Sequence, residues 1–305
     1  MFDAPARSAL IARAWRDLVD ALRFFSRLPT PSGGANSDAG AGLELARFAW
    51  ACPIAGALIG AVGAAAFGLA ALLGLPSFLR AAFAVATLVL ATGALHEDGL
   101  ADLADGFGGG QTRESKLAIM RDSRIGVYGT LALVLSLMLR VGALAALAHG
   151  GFAVAAASLI LSGAASRAGA LFPLALLPPA RADGAGAGAG RLEANDLIAA
   201  GVAVVCVAFL AGLVALGVTR ALFACVLAAA AAWGVSALAR RQIGGQTGDV
   251  AGAAQQAAEI ACLSALLIGG RAPYIRPMNS SVSPSAVPGA NIGDVDFDWR
   301  SRGRG

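Results

Sequence analysis

Long apolar runs, separated by shorter polar stretches, constrain this chain more than any other feature. A membrane-spanning helix needs about 20 consecutive apolar residues, and several runs reach or approach that length. The runs cover 49–75, 75–95, 127–148, 151–179, 197–219 and 221–239. A further apolar piece, 260–270, is too short to span and is interpreted as a half-helix or a re-entrant segment. The sequence therefore predicts an all-α, polytopic integral membrane helical bundle with six to seven membrane segments.

Composition agrees with this prediction and excludes an ordinary soluble protein. Hydrophobic residues make up 57% of the chain and charged residues 14%, against about 25% charged residues in a soluble domain. The net charge of +4 is small and forms no basic patch, so we expect a lipid bilayer and no nucleic acid as partner. The four cysteines lie singly in apolar runs, without metal-ligand spacing, and are interpreted as reduced packing residues.

Polar residues divide the chain and predict its orientation. Residues 1–48 are interpreted as a cytoplasmic, amphipathic N-terminal region, 49–270 as the membrane catalytic domain and 271–305 as a disordered tail. The run GAGAGAG at 184–190 is expected to be a flexible linker. Counting spans in order puts the arginine-bearing stretches on one side of the membrane, and the positive-inside rule makes this the cytoplasmic side. Those stretches are 1–48, 96–126, 180–196 and 240–259.

The stretch HEDGLADLADG, residues 96–106, concentrates carboxylates at the end of an apolar run. On a helix, Asp98, Asp102 and Asp105 fall on one face. Like charges in this arrangement repel each other, and a bound divalent cation would offset this repulsion. Mg²⁺ commonly takes one or two carboxylates together with substrate phosphate oxygens. The alternative interpretation is a solvated acidic helix end.

Two arginines flank an aspartate in IMRDSRIGVYG, residues 119–129. Arg121 and Arg124 suit phosphate oxygens, because a guanidinium group donates paired hydrogen bonds. The alternative for both is a positive-inside anchor. Asp122 is either their salt-bridge partner or a fourth metal ligand.

A second polar site is predicted in GGQTGDVAGAAQQAAEI, residues 244–260. Asp249 and Gln256 share a helix face, and Glu259 follows three positions later. The small residues between them leave room for a ligand, or alternatively form a helix-packing face.

Three polar residues near or within apolar runs are interpreted separately. His96 is expected to be a hydrogen-bonding residue at the membrane edge rather than a catalyst. Arg140 is expected to extend to the membrane surface by snorkelling. Arg167, which lies beside Ser162 and Ser166, is expected to be an inward-facing, satisfied charge.

Together, the three polar blocks resemble the signature blocks of the cobalamin synthase family, the adenosylcobinamide-GDP ribazoletransferases. The segments ALRFFSRLPTP, ACPIAGALIGAVGA and SRAGALFPLALLPPARADGAGAGAG resemble other parts of that family, so the resemblance extends from near residue 20 to near residue 270. It implies an integral membrane enzyme that requires Mg²⁺. The implied reaction joins adenosylcobinamide-GDP to α-ribazole or its 5′-phosphate and gives adenosylcobalamin or its 5′-phosphate, with GMP as the leaving product.

The resemblance also assigns the family's acidic positions to particular residues. These are Glu97, Asp98, Asp102, Asp105, Asp122 and Asp249. We assign Asp98 and Asp102 as Mg²⁺ ligands, Asp105 as a ligand or general base, and Asp249 as a ligand from the second motif; all four are catalytic candidates. The substrate-binding candidates are Glu97, Arg121, Asp122, Arg124, Arg167, Gln256 and Glu259. The two acidic motifs are predicted to face each other across one polar cavity.

Two other classes of protein fit parts of the pattern. A CDP-alcohol phosphotransferase uses related chemistry, and Asp98-Gly99 begins its motif, but Ala101-Asp102 stands where that family has Ala-Arg. A small polytopic transporter would use intramembrane charges, whereas these acids gather at a membrane edge and no inverted repeat is evident. The sequence leaves open whether the protein forms a homo-oligomer.

Overall fold

The computed structural model describes residues 4–30, 45–181 and 192–268. Within these ranges all regular elements are helical, apart from one isolated bridge between Pro179 and Gln246. The α-helices are α1 (Ala4–Phe25), α2 (Leu45–Phe48), α3 (Cys52–Leu72), α4 (Ser77–Thr92), α5 (Leu95–Gly109), α6 (Arg113–Ile119), α7 (Val127–Leu147), α8 (Phe152–Leu176), α9 (Ala194–Ala211), α10 (Val218–Ile243) and α11 (Gly248–Ala265). Short turns of 3-10 or π helix extend α2, α7 and α9 at Ala49–Ala51, Ala148–Gly150 and Gly212–Leu216.

Among the described residues, five helices with their extensions are long and apolar enough to cross a membrane. They are Leu45–Leu72, Val127–Gly150, Phe152–Leu176, Ala194–Leu216 and Val218–Ile243. Helices α4 and α5 pass the same test only as a pair bent by 88°. The predicted all-α, multi-pass bundle is therefore confirmed.

The predicted span 75–95 is not one straight helix. Helix α4 ends at Thr92, and the next two residues, Gly93 (φ 64°) and Ala94 (φ 58°), both adopt the left-handed conformation. Two left-handed residues interrupt the helical hydrogen bonds, and the conformation costs about 1–2 kcal/mol at a residue with a Cβ such as Ala94. The chain leaves this bend as α5, so the acidic motif has a helix of its own, directed across α4.

The apolar piece 260–270 also differs from its prediction. Residues 260–265 are the end of α11, an 18-residue helix that begins at Gly248, rather than a separate half-helix. Helix α11 packs against α5, α8 and α10. Its two acidic residues, Asp249 and Glu259, lower its mean hydropathy, although other helices enclose it. Hydropathy alone therefore does not detect this helix.

Helix α8 is the central helix of the bundle. Its apolar window is 78% buried, against 28–44% for the other four candidate spans. It packs against α3, α9, α10 and α11. The exposed sides of those outer spans consist of apolar residues such as Leu69, Leu139 and Val214, as expected for helices that face lipid.

The N-terminal helix joins the bundle through its C-terminal end. The buried ring of Phe25 stacks on His96, with ring centroids 5.8 Å apart. Asp17 and Asp20 of α1 pair with Arg47. The predicted linker at 184–190 and the predicted tail at 271–305 lie outside the described residues.

Candidate active site

The two acidic motifs meet where α5 packs against the beginning of α11. A Cβ atom added to Gly99 would lie 2.9 Å from the backbone oxygen of Asp249. One added to Gly252 would lie 3.4 Å from the Cα atoms of both Gly99 and His96. Glycine at both positions therefore allows the two backbones to approach, and motifs far apart in the sequence form one site, as predicted.

Three carboxylates from these helices form a group that we call the acidic cluster: Asp98, Asp102 and Asp249. Asp98 is exposed, and the other two are partly buried. The Oδ2 atom of Asp249 accepts hydrogen bonds from Arg181 Nη2 at 3.2 Å and from Thr247 Oγ1 at 3.1 Å. Thr247 is also the N-cap residue of α11, so the start of this helix orients the Asp249 carboxylate.

Negative charge dominates the acidic cluster. Asp102 is repelled by Asp98, Asp249 and Asp105, and Arg181 attracts it. Burial raises the pKa of Asp249, which Asp98 raises further, while Arg181 and Thr247 act in the opposite direction. The ionised forms of Asp102 and Asp249 are therefore unfavourable until a cation is present.

Asp105 points away from the acidic cluster's open side and into the first turn of α7. Its Oδ2 accepts from the backbone N–H of Gly126 at 2.7 Å, and its Oδ1 accepts from that of Gly129 at 2.8 Å. Gly126 is the N-cap residue of α7, so this buried carboxylate satisfies N–H groups at a helix start. The sequence assigned Asp105 as a metal ligand or base, whereas these contacts favour a positioning role.

Asp122 and Arg124 form an ion pair on the surface. Arg124 Nη2 lies 2.6 Å from Asp122 Oδ2, and Arg124 Nε also donates to this carboxylate. These hydrogen bonds lower the pKa of Asp122 to about 2. The contacts favour the salt-bridge interpretation of Asp122 over that of a fourth metal ligand, and Arg121 beside it is exposed.

A second group of charges lies buried among α5, α7, α8 and α11. Arg140 Nη1 donates to Glu97 Oε1 at 2.9 Å and lies 3.7 Å from Glu259 Oε1. Arg167 Nη1 lies 3.6 Å from Glu259 Oε2, so the charge is inward and paired as predicted, although the buried Nε has no hydrogen-bond partner among the described residues. The predicted snorkelling of Arg140 is wrong: its side chain is 1% exposed, because two glutamates pair with it inside the bundle.

Amides and hydroxyl groups complete this buried group. Gln256 donates to Glu97 at 3.1 Å and accepts from Ser136 at 2.8 Å. Gln255 donates to Glu259 at 2.6 Å and to Ser166 at 3.0 Å. We call the whole set the buried network: Glu97, Ser136, Arg140, Ser166, Arg167, Gln255, Gln256 and Glu259. The substrate-binding candidates Glu97, Arg167, Gln256 and Glu259 all belong to it.

A cavity of about 240 Å³ opens beside the acidic cluster. Phe24 and Phe25 from the end of α1, with Leu95 and Leu174, form its apolar walls. Asp98 and Asp249 both line its polar edge. The two motifs therefore share a cavity, but its walls are more apolar than the sequence predicted.

Comparison with known proteins identifies the family of the chain. The sequence model of cobalamin-5-phosphate synthase matches residues 17–267. The chain belongs to the cobalamin-5-phosphate synthase family. This confirms the resemblance that the three polar blocks indicated.

Relatives of the cobalamin-5-phosphate synthase family match nearly over their full lengths. A protein of Azorhizobium caulinodans is 50% identical over 266 residues, which are 87% of this chain and 98% of the relative. One from Xanthobacter autotrophicus is 51% identical over 261 residues, or 84% and 97% of the two chains. One from Bradyrhizobium diazoefficiens is 46% identical over 251 residues, or 81% and 91%. All three are named adenosylcobinamide-GDP ribazoletransferase. No solved structure matches this chain.

The acidic cluster of this family member fits a cation shared with a substrate. Within the described ranges, no group of three or more His, Cys, Asp or Glu residues is arranged to hold a metal ion by itself. Mg²⁺ does not require such a cage, because it keeps several waters and takes one or two carboxylates plus phosphate oxygens. Asp98 and Asp102 provide such carboxylates beside a cavity.

Two arginines at the rim of the site were not predicted from the sequence. Arg181 pairs with Asp249. Arg113 donates to the backbone oxygens of Ile243 at 2.9 Å and Ala180 at 2.5 Å, and so ties α6 to the loops before Arg181 and Asp249. The Pro178-Pro179 pair was the available signal, because consecutive prolines stiffen the chain and direct the residues that follow.

Proposed function

We propose that this protein is an adenosylcobinamide-GDP ribazoletransferase of the bacterial cytoplasmic membrane. It joins adenosylcobinamide-GDP to α-ribazole or α-ribazole 5′-phosphate and releases GMP. The observation that carries the proposal is the acidic cluster at the edge of a cavity, in a chain of this family. A diphosphate substrate and its cation fit such a site, because the metal supplies the positive charge that the unbalanced carboxylates lack and the phosphate oxygens complete the coordination of the metal.

The reaction is a displacement at phosphorus. A ribose hydroxyl oxygen of ribazole attacks the phosphorus that carries the cobinamide, and the bond from this phosphorus to the bridging oxygen breaks. GMP leaves with the bridging oxygen, and the hydroxyl proton is released. The product is a phosphodiester between cobinamide and ribazole.

The residues divide this work between the two motif helices. Asp98 and Asp102 would hold Mg²⁺ from α5, and Asp249 would contribute from α11. When bound, Mg²⁺ supplies positive charge that stabilises the developing charge on the leaving phosphate. Arg181 and Thr247 hold the Asp249 carboxylate in place. Asp105 orients the start of α7, and the buried network holds α5 and α11 in register.

Proteoliposomes test the proposed reaction directly. With adenosylcobinamide-GDP, α-ribazole and Mg²⁺, we expect equal amounts of GMP and adenosylcobalamin, and a chelator should stop both. Asp98→Asn should abolish turnover, whereas Glu114→Gln, a change at a 76% exposed acid on α6, is the matched control. Product formation that is unchanged by the chelator would contradict the metal assignment, and no product from wild-type protein would contradict the function.

Orientation in the membrane has a separate test. Arg113, Lys116, Arg181 and Arg241 lie in the segments at the acidic end of the bundle, so we place that end in the cytoplasm by the positive-inside rule. A cysteine at exposed Arg124 should react only with membrane-permeant thiol reagents in intact cells, and one at exposed Gly150 should react with impermeant reagents as well. Both variants would be made in a background without the native cysteines. The reverse labelling pattern would invert the topology.

A further inference from the structure

The cavity beside the acidic cluster is too small for a whole substrate. Its volume is about 240 Å³, below the range of about 300–1,000 Å³ that is usual for pockets of drug-sized ligands. A corrinoid or a complete nucleotide exceeds this space. A single planar ring system fits it, with the rest of the molecule outside.

The walls of the cavity suit an aromatic ring. Phe24 and Phe25 meet edge to face, with centroids 4.8 Å apart, and Leu95 and Leu174 add aliphatic surface. Aromatic ligands gain from such edge and face contacts beyond the burial of area. Since Asp98 lies at the polar edge, a base in the cavity would place its attached sugar beside the acidic cluster.

His96 supplies a polar atom that has no protein partner. Its side chain is 3% exposed, and among the described residues Nε2 has no hydrogen-bond partner. His96 is one of the residues that line the cavity, and its ring stacks on Phe25, which also lines it, with an interplanar angle of 13°. Leaving a buried polar atom unpaired costs about 1–3 kcal/mol, so such an atom beside a cavity points to a ligand atom.

We propose that this cavity binds the base of ribazole and that His96 recognises the base's free ring nitrogen. This inference rests on the proposed function and extends it to a specificity-determining residue. Ribazole carries a benzimidazole, which is an apolar bicyclic ring with one unsubstituted nitrogen acceptor. The Nε2–H group of His96 donates to that nitrogen. Guanine is the poorer match, because the apolar walls would leave most of its donors and acceptors unpaired.

A pair of nucleosides and a pair of variants test this assignment. We compare α-ribazole with the α-ribonucleoside of the matching indole, which has the same shape but no acceptor nitrogen. Wild-type protein should prefer α-ribazole by about 10-fold in kcat/KM, because the free energy of one hydrogen bond corresponds to about that factor. The His96→Leu variant should have the same kcat/KM for both nucleosides. Its KM should be raised for α-ribazole and unchanged for adenosylcobinamide-GDP. His149→Leu, which alters the exposed second histidine, should retain the wild-type preference.

A second variant covers the case in which His96→Leu does not fold. Leu95 is 49% exposed, so Leu95→Trp can fill the cavity from its edge without overpacking the core. It should raise the KM for α-ribazole and leave that for adenosylcobinamide-GDP unchanged. A raised KM for adenosylcobinamide-GDP instead would assign the cavity to guanine and overturn the proposal. A fall in kcat for both nucleosides in His96→Leu, with the preference retained, would overturn it in favour of proton transfer.

Binding measurements separate this inference from the proposed function. If the wild-type protein gives no product, the function fails, but equilibrium dialysis with α-ribazole still tests the cavity. Weaker binding to Leu95→Trp than to wild type supports the subsite. Equal binding to both proteins, or none to either, overturns it.

Discussion

The buried network and the acidic cluster contain similar side chains but differ in access and in charge balance. In the buried network two arginines face two glutamates, and these four side chains are 1–9% exposed. In the acidic cluster Asp98 is exposed, and carboxylates outnumber the arginine that pairs with Asp249. The charges of the first set balance within the protein, although Glu97 Oε2, Arg140 Nε and Nη2, and Arg167 Nε have no hydrogen-bond partner among the described residues. The second set keeps an excess of negative charge.

This difference separates structural charge from functional charge within one helix. Glu97 and Asp98 are neighbours on α5, yet Glu97 pairs with Arg140 inside the bundle and Asp98 lines the cavity. Paired charges among membrane helices hold those helices in one arrangement, while removal of one partner leaves a costly unpaired charge. Charge type alone therefore does not distinguish these two groups of residues; the balance between carboxylates and arginines in each group does.

The largest expected effect on stability comes from breaking the buried network. Arg140→Met leaves Glu97 and Glu259 without their shared cation, and should lower the free energy of unfolding by about 3–5 kcal/mol. Thermal unfolding in detergent measures the loss. The control is Arg124→Met at a side chain that is 86% exposed, where Tm should stay at the wild-type value. Equal Tm values for both variants would show that the network does not stabilise the fold.

Breaking the acidic cluster should have the opposite signature. Asp98→Asn and Asp102→Asn each remove a charge that would neutralise Mg²⁺, so turnover should fall on the order of 10²-fold or more. Neither change leaves a buried charge unpaired, so Tm should not fall. Steady-state GMP release and thermal unfolding, measured on the same preparations, check both expectations. Near-normal turnover in both variants would remove the metal site from α5.

The sequence predicted the helices that face lipid better than those that face protein. A long apolar run identifies a span because lipid is uniform, so α3, α7, α9 and α10 were found from length and hydropathy alone. Helix α11 was predicted only in part: Asp249 and Gln256 were placed on one helix face, but 260–265 was taken for a separate piece. Its full length was missed because its buried acids depend on partners that a local window does not contain. The bend after α4 was missed because Ala94, one of its two left-handed residues, has no conformational signal in its side chain.

The difference between local sequence signals and tertiary contacts also explains which residues of the candidate site could be predicted. Asp98, Asp102 and Asp249 were found because their spacing puts carboxylates at helix ends near the membrane edge. Arg140 was misjudged because its depth depends on Glu97 and Glu259, which are distant in the sequence. Pairing across helices is a tertiary property, and it decides which charges remain available to a ligand.

Acidification should test the acidic cluster through Asp249. Burial raises the pKa of Asp249, so protons compete with Mg²⁺ at a higher pH than at an exposed aspartate. Below the raised pKa the carboxyl is neutral and binds the cation poorly; above it the carboxylate is available. The Mg²⁺ concentration for half-maximal turnover should therefore increase as pH falls, and Asp249→Asn should reduce this dependence. A requirement that stays constant through the acid range would exclude Asp249 as a ligand.

Asp105 gives the smallest expected effect and the sharpest test of the boundary between the two regions. By sequence it belongs with the acidic cluster, but by contact it caps α7 through Gly126 and Gly129. Asp105→Asn keeps one acceptor oxygen and loses the other, so the free energy of unfolding should fall by about 1 kcal/mol, as for a lost helix cap. The Mg²⁺ concentration for half-maximal turnover should remain at the wild-type value. If that concentration rises as it does in Asp102→Asn, Asp105 binds the cation, and the boundary between positioning and ligand carboxylates moves one helical turn along α5.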